Sequence, residues 1–199
     1  GVLKNLRWML ETGTLAGMLA VAALATAASA ENYKIDTVHS SVEFSIRHLV
    51  SRTTGGFTDF AGTISYDPAK PEATKIEGTI QVASIDTRNA KRDGHLTSPD
   101  FLDAEKYPTI TFKSTKAMAH DDHLMVTGDF TMHGVTKQIT LMVEVLGMGT
   151  HPMAKKPVVG MATETVIKRS DYGVNSWTDV AGVLGDEVKV TLTIEAIGM

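Results

Sequence analysis

The chain has 199 residues, a formal net charge of −4, 43% hydrophobic residues and no cysteine. A chain of this length buries a substantial core without disulfides, and the lack of cysteine excludes thiol catalysis. The mild acidic excess, with no basic stripe, argues against a reader of nucleic-acid phosphates and against a polybasic hold on anionic lipid.

Lys4 and Arg7 precede an apolar run from Leu15 to Ala25, and Ala28-Ser29-Ala30 supplies the small residues of a cleavage site. This order predicts a signal peptide over residues 1–30, cut after Ala30. The run is shorter than the ~20 residues of a membrane span and no second run follows, so no stable membrane anchor is expected after cleavage. Residues 31–199 then make one domain, expected in the periplasm or secreted.

Strand-like alternation dominates that domain. Val42, Phe44 and Ile46 alternate with Glu43, Ser45 and Arg47, and Gly62 to Tyr66 is a shorter run. Ile76, Gly78, Ile80 and Val82 share one face of the next run. Thr109 to Thr115 follows, then Leu124, Val126, Gly128, Phe130 and Met132 at period two. Ile139, Leu141, Val143 and Val145 repeat the pattern, as do Val158 to Val166 and the series Val188, Val190, Leu192 and Ile194. Abundant Val, Ile and Thr suit a pleated, half-buried surface. Turn signals at 67–71, 119–122 and 133–135 separate these runs. About eight short strands joined by such turns predict an all-β sandwich or barrel, and closure into a barrel removes exposed edges.

Two segments break the alternation, Ser84 to Pro108 and Lys168 to Asp186. Loops this long are usually functional or carry short helices. Ser98-Pro99-Asp100 reads as a helix start, with a hydroxyl cap and proline at the first helical position. Tyr107-Pro108 reads as its end. Such a helix lets Leu96, Phe101 and Leu102 cover one end of a barrel.

Five stretches carry a resemblance. They are Tyr33 to Leu49, Gly55 to Ile64, Ala83 to Asn89 continuing through Arg92-Asp93 and His95-Leu96, Lys168 to Gly173, and Val183 to Val188. With the block from Asp93 to Phe112, they resemble in content and order the motifs of the YceI-like family. The resemblance implies an extended, eight-stranded antiparallel lipocalin-like barrel with short helices in its long loops. It also implies a long apolar cavity for an isoprenoid lipid, such as the chain of an isoprenoid quinone, and a periplasmic protein that is often a homodimer.

A prenyl chain is stabilised by burial, at roughly 25 cal/mol per Å² removed from water. Its site needs a long apolar lining and a small polar mouth. Phe44, Phe57, Phe60, Ile80, Val82, Leu96, Phe101, Phe112, Phe130, Leu141, Val143 and Met161 can supply the lining, with Met132 and Met142 as adaptable surface. Period two shows which of these share a face, not which face lines a cavity, so each is equally a core residue. Arg47 can place a guanidinium at the mouth or sit on the outer face. Asn89, Arg92 and His95 can converge on a head group or hold their loop closed. Asp100 best complements a helix N-terminus.

Three other patterns bear on catalysis and partners. His39-Ser40-Ser41 lacks a nucleophile elbow, and no serine-based catalysis is expected. His120-Asp121-Asp122-His123 has the wrong spacing for structural zinc and reads as a solvated turn, so no metal site is assigned. His95 with Asp93 or Asp100 keeps open an enzyme acting on a lipid or quinone. A stress-related surface or adhesion barrel is the third reading, marked by a large exposed apolar patch in place of a deep cavity.

Overall fold

The computed structural model describes residues 30–180 and 182–199. The predicted signal segment, apart from Ala30, lies outside the described residues. Among the described residues eleven strands form in chain order: β1 (Glu31–Ile35), β2 (Ser41–His48), β3 (Ser51–Phe57), β4 (Phe60–Tyr66), β5 (Lys75–Gln81), β6 (Ile85–Asp86), β7 (Thr109–His120), β8 (His123–Met132), β9 (Val135–Thr150), β10 (Pro157–Lys168) and β11 (Leu184–Gly198). One α-helix, α1 (Ala90–Leu96), lies among the described residues, and none there is long and apolar enough to cross a membrane.

Eight of the strands close a ring in the order β1-β4-β5-β7-β8-β9-β10-β11, with β11 pairing back to β1. All pairings are antiparallel. The eight-stranded antiparallel barrel expected from the sequence is therefore present. The extra strands come from β11, which is long enough to serve two partners. Ala196 to Gly198 pair with β1, while Leu184 to Thr193 pair with β2, and β2 carries β3 and β6 beyond it. The ring is thus sealed at one end, the base, and flanked by a three-strand flap toward the other.

Tight turns set the register of the ring. His133 and Gly134 both take positive φ, 54° and 73°, between β8 and β9, the backbone that a two-residue hairpin turn requires. Glycine has a second use on the inner face. A Cβ at Gly128 would lie 2.6 Å from Phe112 Cζ, and one at Gly55 would lie 2.7 Å from Phe44 Cζ. The missing side chains let both rings lie across the neighbouring strand.

Two apolar clusters fill the two ends. At the base, Tyr33, Ile64, Tyr66, Leu124, Val126, Val159 and Ala196 pack together. At the far end, Val82, Phe101, Ile110, Met132, Ile167, Tyr172 and Val174 pack beneath the loops.

The helix is not where Ser98-Pro99 predicts it. It runs over Ala90–Leu96, and Asn89 Oδ1 caps it by accepting from the Arg92 amide at 3.0 Å. The Ser98 hydroxyl donates back to the His95 carbonyl at 2.6 Å, so it closes this helix instead of opening another. From Thr97 to Tyr107 the chain folds in successive turns, with Phe101 and Asp103 amides both donating to the Ser98 carbonyl. The segment still covers the barrel end, through turns and not through a helix.

Candidate functional site

The barrel interior holds two adjoining compartments. The lower one, about 150 Å³, is walled by residues including Val42, Phe60, Ile64, Ile76, Phe112, Ile139, Leu141, Val143, Met161 and Ile194. The upper one, about 270 Å³, is walled by residues including Phe44, Ile46, Phe57, Leu96, Phe101, Leu102, Met132, Arg169, Trp177 and Leu184. Val42, Ile80, Ile110, Phe130, Ile167 and Val190 belong to both walls, which sets the two compartments end to end along one apolar passage. Along β11 its wall runs from Leu184 to Ile194, about 34 Å at the ~3.4 Å rise of an antiparallel strand. A narrow, elongated space of this kind suits a long flexible hydrocarbon better than a compact ring system.

Of the sixteen residues nominated from the sequence, thirteen stand on these walls: Phe44, Phe57, Phe60, Ile80, Arg92, His95, Leu96, Phe101, Phe112, Phe130, Leu141, Val143 and Met161. Three stand elsewhere. Arg47 is exposed on the outer face of β2, its Nη1 donating to the Leu49 carbonyl at 3.4 Å, because period two puts it opposite Phe44 and Ile46. Val82 is buried, but β5 ends at Gln81 and Val82 begins a 3-10 turn that packs into the upper cluster. Asn89 is exposed and spends its side chain on the helix cap. Met142, nominated as adaptable lining, also faces outward from β9 and is 42% exposed.

The polar rim is tied to its own loops. Arg92 donates from Nε to Thr87 Oγ1 at 2.8 Å and from Nη2 to the Thr87 carbonyl at 2.7 Å. Asp93 Oδ1 accepts from the Thr87 amide and hydroxyl, which fixes the start of the helix against β6. His95 Nε2 lies 3.0 Å from Asp100 Oδ2, and its ring meets Phe101 edge-on at 5.0 Å. The Ser176 hydroxyl donates to the Asp100 carbonyl and joins the two covering loops. Phe130 and Tyr172 pack edge to face at 5.3 Å beneath them.

The sequence reading missed Arg169. It is only 4% exposed, at the end of β10, and forms part of the upper wall. Its Nε donates to the Gly185 carbonyl at 2.9 Å, and its Nη1 donates to the Val174 and Ser176 carbonyls at 2.9 and 2.7 Å. Its Nη2 is buried without a protein partner, the one such side-chain nitrogen or oxygen among the described residues. Burial pushes the guanidinium below its ordinary value, against the charge of Asp186. Burial also pushes the Asp186 carboxyl up, yet the Ser170 hydroxyl and amide, with Arg169 and Lys168, outweigh this and hold it below its ordinary value. Arg169 lies inside the Lys168 to Gly173 motif, but nothing in a linear reading says that its side chain turns inward.

One group of histidine and carboxylate side chains lies apart from the cavity. Asp36, His39 and Glu195 bring ligand-type atoms within 4.8 Å of one another near the base. His39 Nδ1 is already 2.7 Å from Asp36 Oδ2. That bond raises the imidazole and lowers the carboxyl relative to their ordinary values. The pair braces the connection between β1 and β2.

Comparison with known proteins matches this architecture. Residues 33–196 match the YceI-like domain. Protein YceI of Escherichia coli O157:H7 is 41% identical over 176 residues, which is 87% of this chain and 90% of that protein. The crystal structure of BcnA from Burkholderia cenocepacia superposes with a TM-score of 0.74 at 27% identity, over 81% of this chain and 98% of that one. A polyisoprenoid binding domain from Saccharophagus degradans, implicated in plant cell wall breakdown, shares the fold at a TM-score of 0.64 and 17% identity, over 84% of this chain and 98% of its own.

Proposed function

The chain belongs to the YceI-like family, and we propose that it binds an isoprenoid lipid, with the prenyl chain along the barrel passage and an oxygen-bearing head beside Arg169. The observation that carries this reading is the pairing of a long apolar passage with a buried arginine whose Nη2 lacks a protein partner. A buried unsatisfied donor costs ~1–3 kcal/mol, more when charged, and a ligand oxygen relieves that cost. A quinone carbonyl and a prenyl phosphate both offer such an oxygen, and the planar guanidinium suits either. The polyisoprenoid binding domain from Saccharophagus degradans, built on the same barrel, supports this ligand class. With the signal segment predicted over residues 1–30, the role is to carry, store or shield the lipid in the periplasm.

Two other readings are less well served. The enzyme reading needs His95 with a positioned carboxylate. Asp93 is engaged by Thr87, and the His95–Asp100 pair is open to solvent, at 46% and 71% exposure. The adhesion reading calls for a broad apolar surface in place of the deep cavity seen here.

Organic extraction of the purified protein followed by mass spectrometry is expected to recover a prenyl lipid. The stripped protein is expected to rebind an isoprenoid quinone, and to bind squalene, a prenyl hydrocarbon without oxygen, more weakly. Failure to recover or rebind any prenyl lipid would overturn the proposal. Equal affinity for the quinone and squalene would remove Arg169 from it.

A further inference from the structure

The outer face of the barrel carries an arrangement that lipid binding does not use. In the register of β7, β8 and β9, Met118 pairs with Met125, and Met125 pairs with Met142. All three alternate with inward residues, Ala117, Leu124, Val126, Leu141 and Val143, so the thioethers stand in one row on the outside. Met118 is 46% exposed and Met142 is 42% exposed. Side chains directly opposite on neighbouring strands have Cβ atoms about 4.5–5.5 Å apart, so two flexible side chains can lean over a third. The next rung on the same face is His120, His123 and Glu144, since His120 pairs with His123 and His123 with Glu144.

Packing gives no reason for this row. Unbranched methionine is not a favoured strand residue. The rung on the other side is Lys116, Thr127 and Thr140, ordinary solvent-facing choices. Three adjacent outward thioethers beside imidazoles have a defined chemical preference. Thioether sulfur is a soft ligand that selects Cu(I) over the harder divalent ions, and imidazole also suits copper. His123 is prepared for such a role. Its Nδ1 lies 2.7 Å from Asp122 Oδ1, which orients the ring and leaves Nε2 free, as carboxylate–histidine–metal groupings do. The His-Asp-Asp-His turn lacks zinc spacing by itself, but the fold sets three sulfurs next to it.

We propose that the outer face of β7, β8 and β9 binds a soft monovalent ion, Cu(I) or its analogue Ag(I), through Met118, Met125 and Met142 with His123 completing the site. The ion binds without a redox step, as Cu(I) delivered in that state. This site is independent of the lipid passage, because its side chains point away from the barrel interior.

Competition for Cu(I) against bicinchoninate, in anaerobic reducing buffer, tests it directly. The unmodified chain is expected to withdraw one Cu(I) equivalent from the chelator. The triple variant M118L/M125L/M142L keeps the apolar surface and removes only sulfur, and is expected to withdraw none. D122N is expected to weaken binding by about 10-fold, the usual effect of losing a carboxylate behind a histidine ligand. Methyl NMR of the unmodified chain with Ag(I) gives a second readout that needs no variant. The methyls of Met118, Met125 and Met142 are expected to shift, while those of the buried Met132 and Met161 stay in place. Equal Cu(I) retention by the triple-leucine variant, or Ag(I) shifts absent from the three outer methionines, would overturn the proposal.

Discussion

The two ends of this barrel are built from similar residues and do opposite things. At the base, β1 and β4 seal the ring, and Tyr33, Leu124, Val126, Val159 and Ala196 pack almost without exposure. At the far end the strands carry long loops, and Leu96, Leu102, Phe57 and Leu184 are only partly buried around open space. The difference lies in what meets the inner face. Strand against strand at the base brings these side chains into contact with almost no exposure, as in a protein interior. Loops laid across the other end cannot fill the same width, and their backbone at Thr87, Ser170 and Val174 is satisfied by the side chains of Asp93, Arg92, Asp186 and Arg169. One end therefore stores more of the stability and the other offers the larger volume.

That contrast can be broken most sharply by truncation. Leu124→Ala at the base is expected to cost about 2–5 kcal/mol, as in other fully packed cores. Leu96→Ala at the cavity wall is expected to cost less than about 2 kcal/mol, because part of its surface already faces space. Urea unfolding of both variants measures the gap, and equal costs would erase the distinction between the ends. Arg169→Met removes the donor that holds the Gly185, Val174 and Ser176 carbonyls. It is expected to cost about 1.5–3 kcal/mol and to raise hydrogen exchange in residues 173–180, while Leu124→Ala leaves those amides protected. Val190→Phe adds bulk on the wall shared by both compartments. It is expected to change stability by less than the ~1–3 kcal/mol of overpacking a filled core, and to abolish recovery of a prenyl lipid.

Two smaller effects depend on pH. The Asp186 carboxyl is held low in the folded protein, so its contribution is complete above the ordinary carboxylate value of about 4 and is lost as pH falls through the lowered one. Ser170→Ala is expected to shift the acid unfolding midpoint upward, and thermal melts between pH 3 and pH 7 measure it. His39 is held high by Asp36, so its contribution is present below its ordinary value near 6.5 and fades as pH rises through the raised one. Asp36→Asn is expected to return the imidazole titration toward 6.5, followed by NMR, with little change in stability because the His39 ring is 61% exposed.

Much of the architecture is legible from the chain. Alternation at Leu124 to Met132 and Ile139 to Val145 places the inward residues correctly, because a strand's side-chain period is fixed by its backbone. The helix lies one segment earlier than Ser98-Pro99 suggests. Asn89 and Ser98 are both competent caps, and only the loop's fit to Thr87 and the barrel rim decides between them. Arg47 and Arg169 show the same limit for the site. Arg47 follows Ile46 and Arg169 follows Ile167-Lys168, yet one ends in solvent and the other under the loop that leads into residue 185.

By itself, then, the sequence determined an antiparallel all-β domain with long loops over one end, because periodicity and turn chemistry are local. Tertiary structure decided which inward residues face a packed core and which face the passage, which arginine is buried with a free donor, and which outward methionines stand side by side. These depend on strand order and register, which bring together residues far apart in the chain. No local rule carries that information.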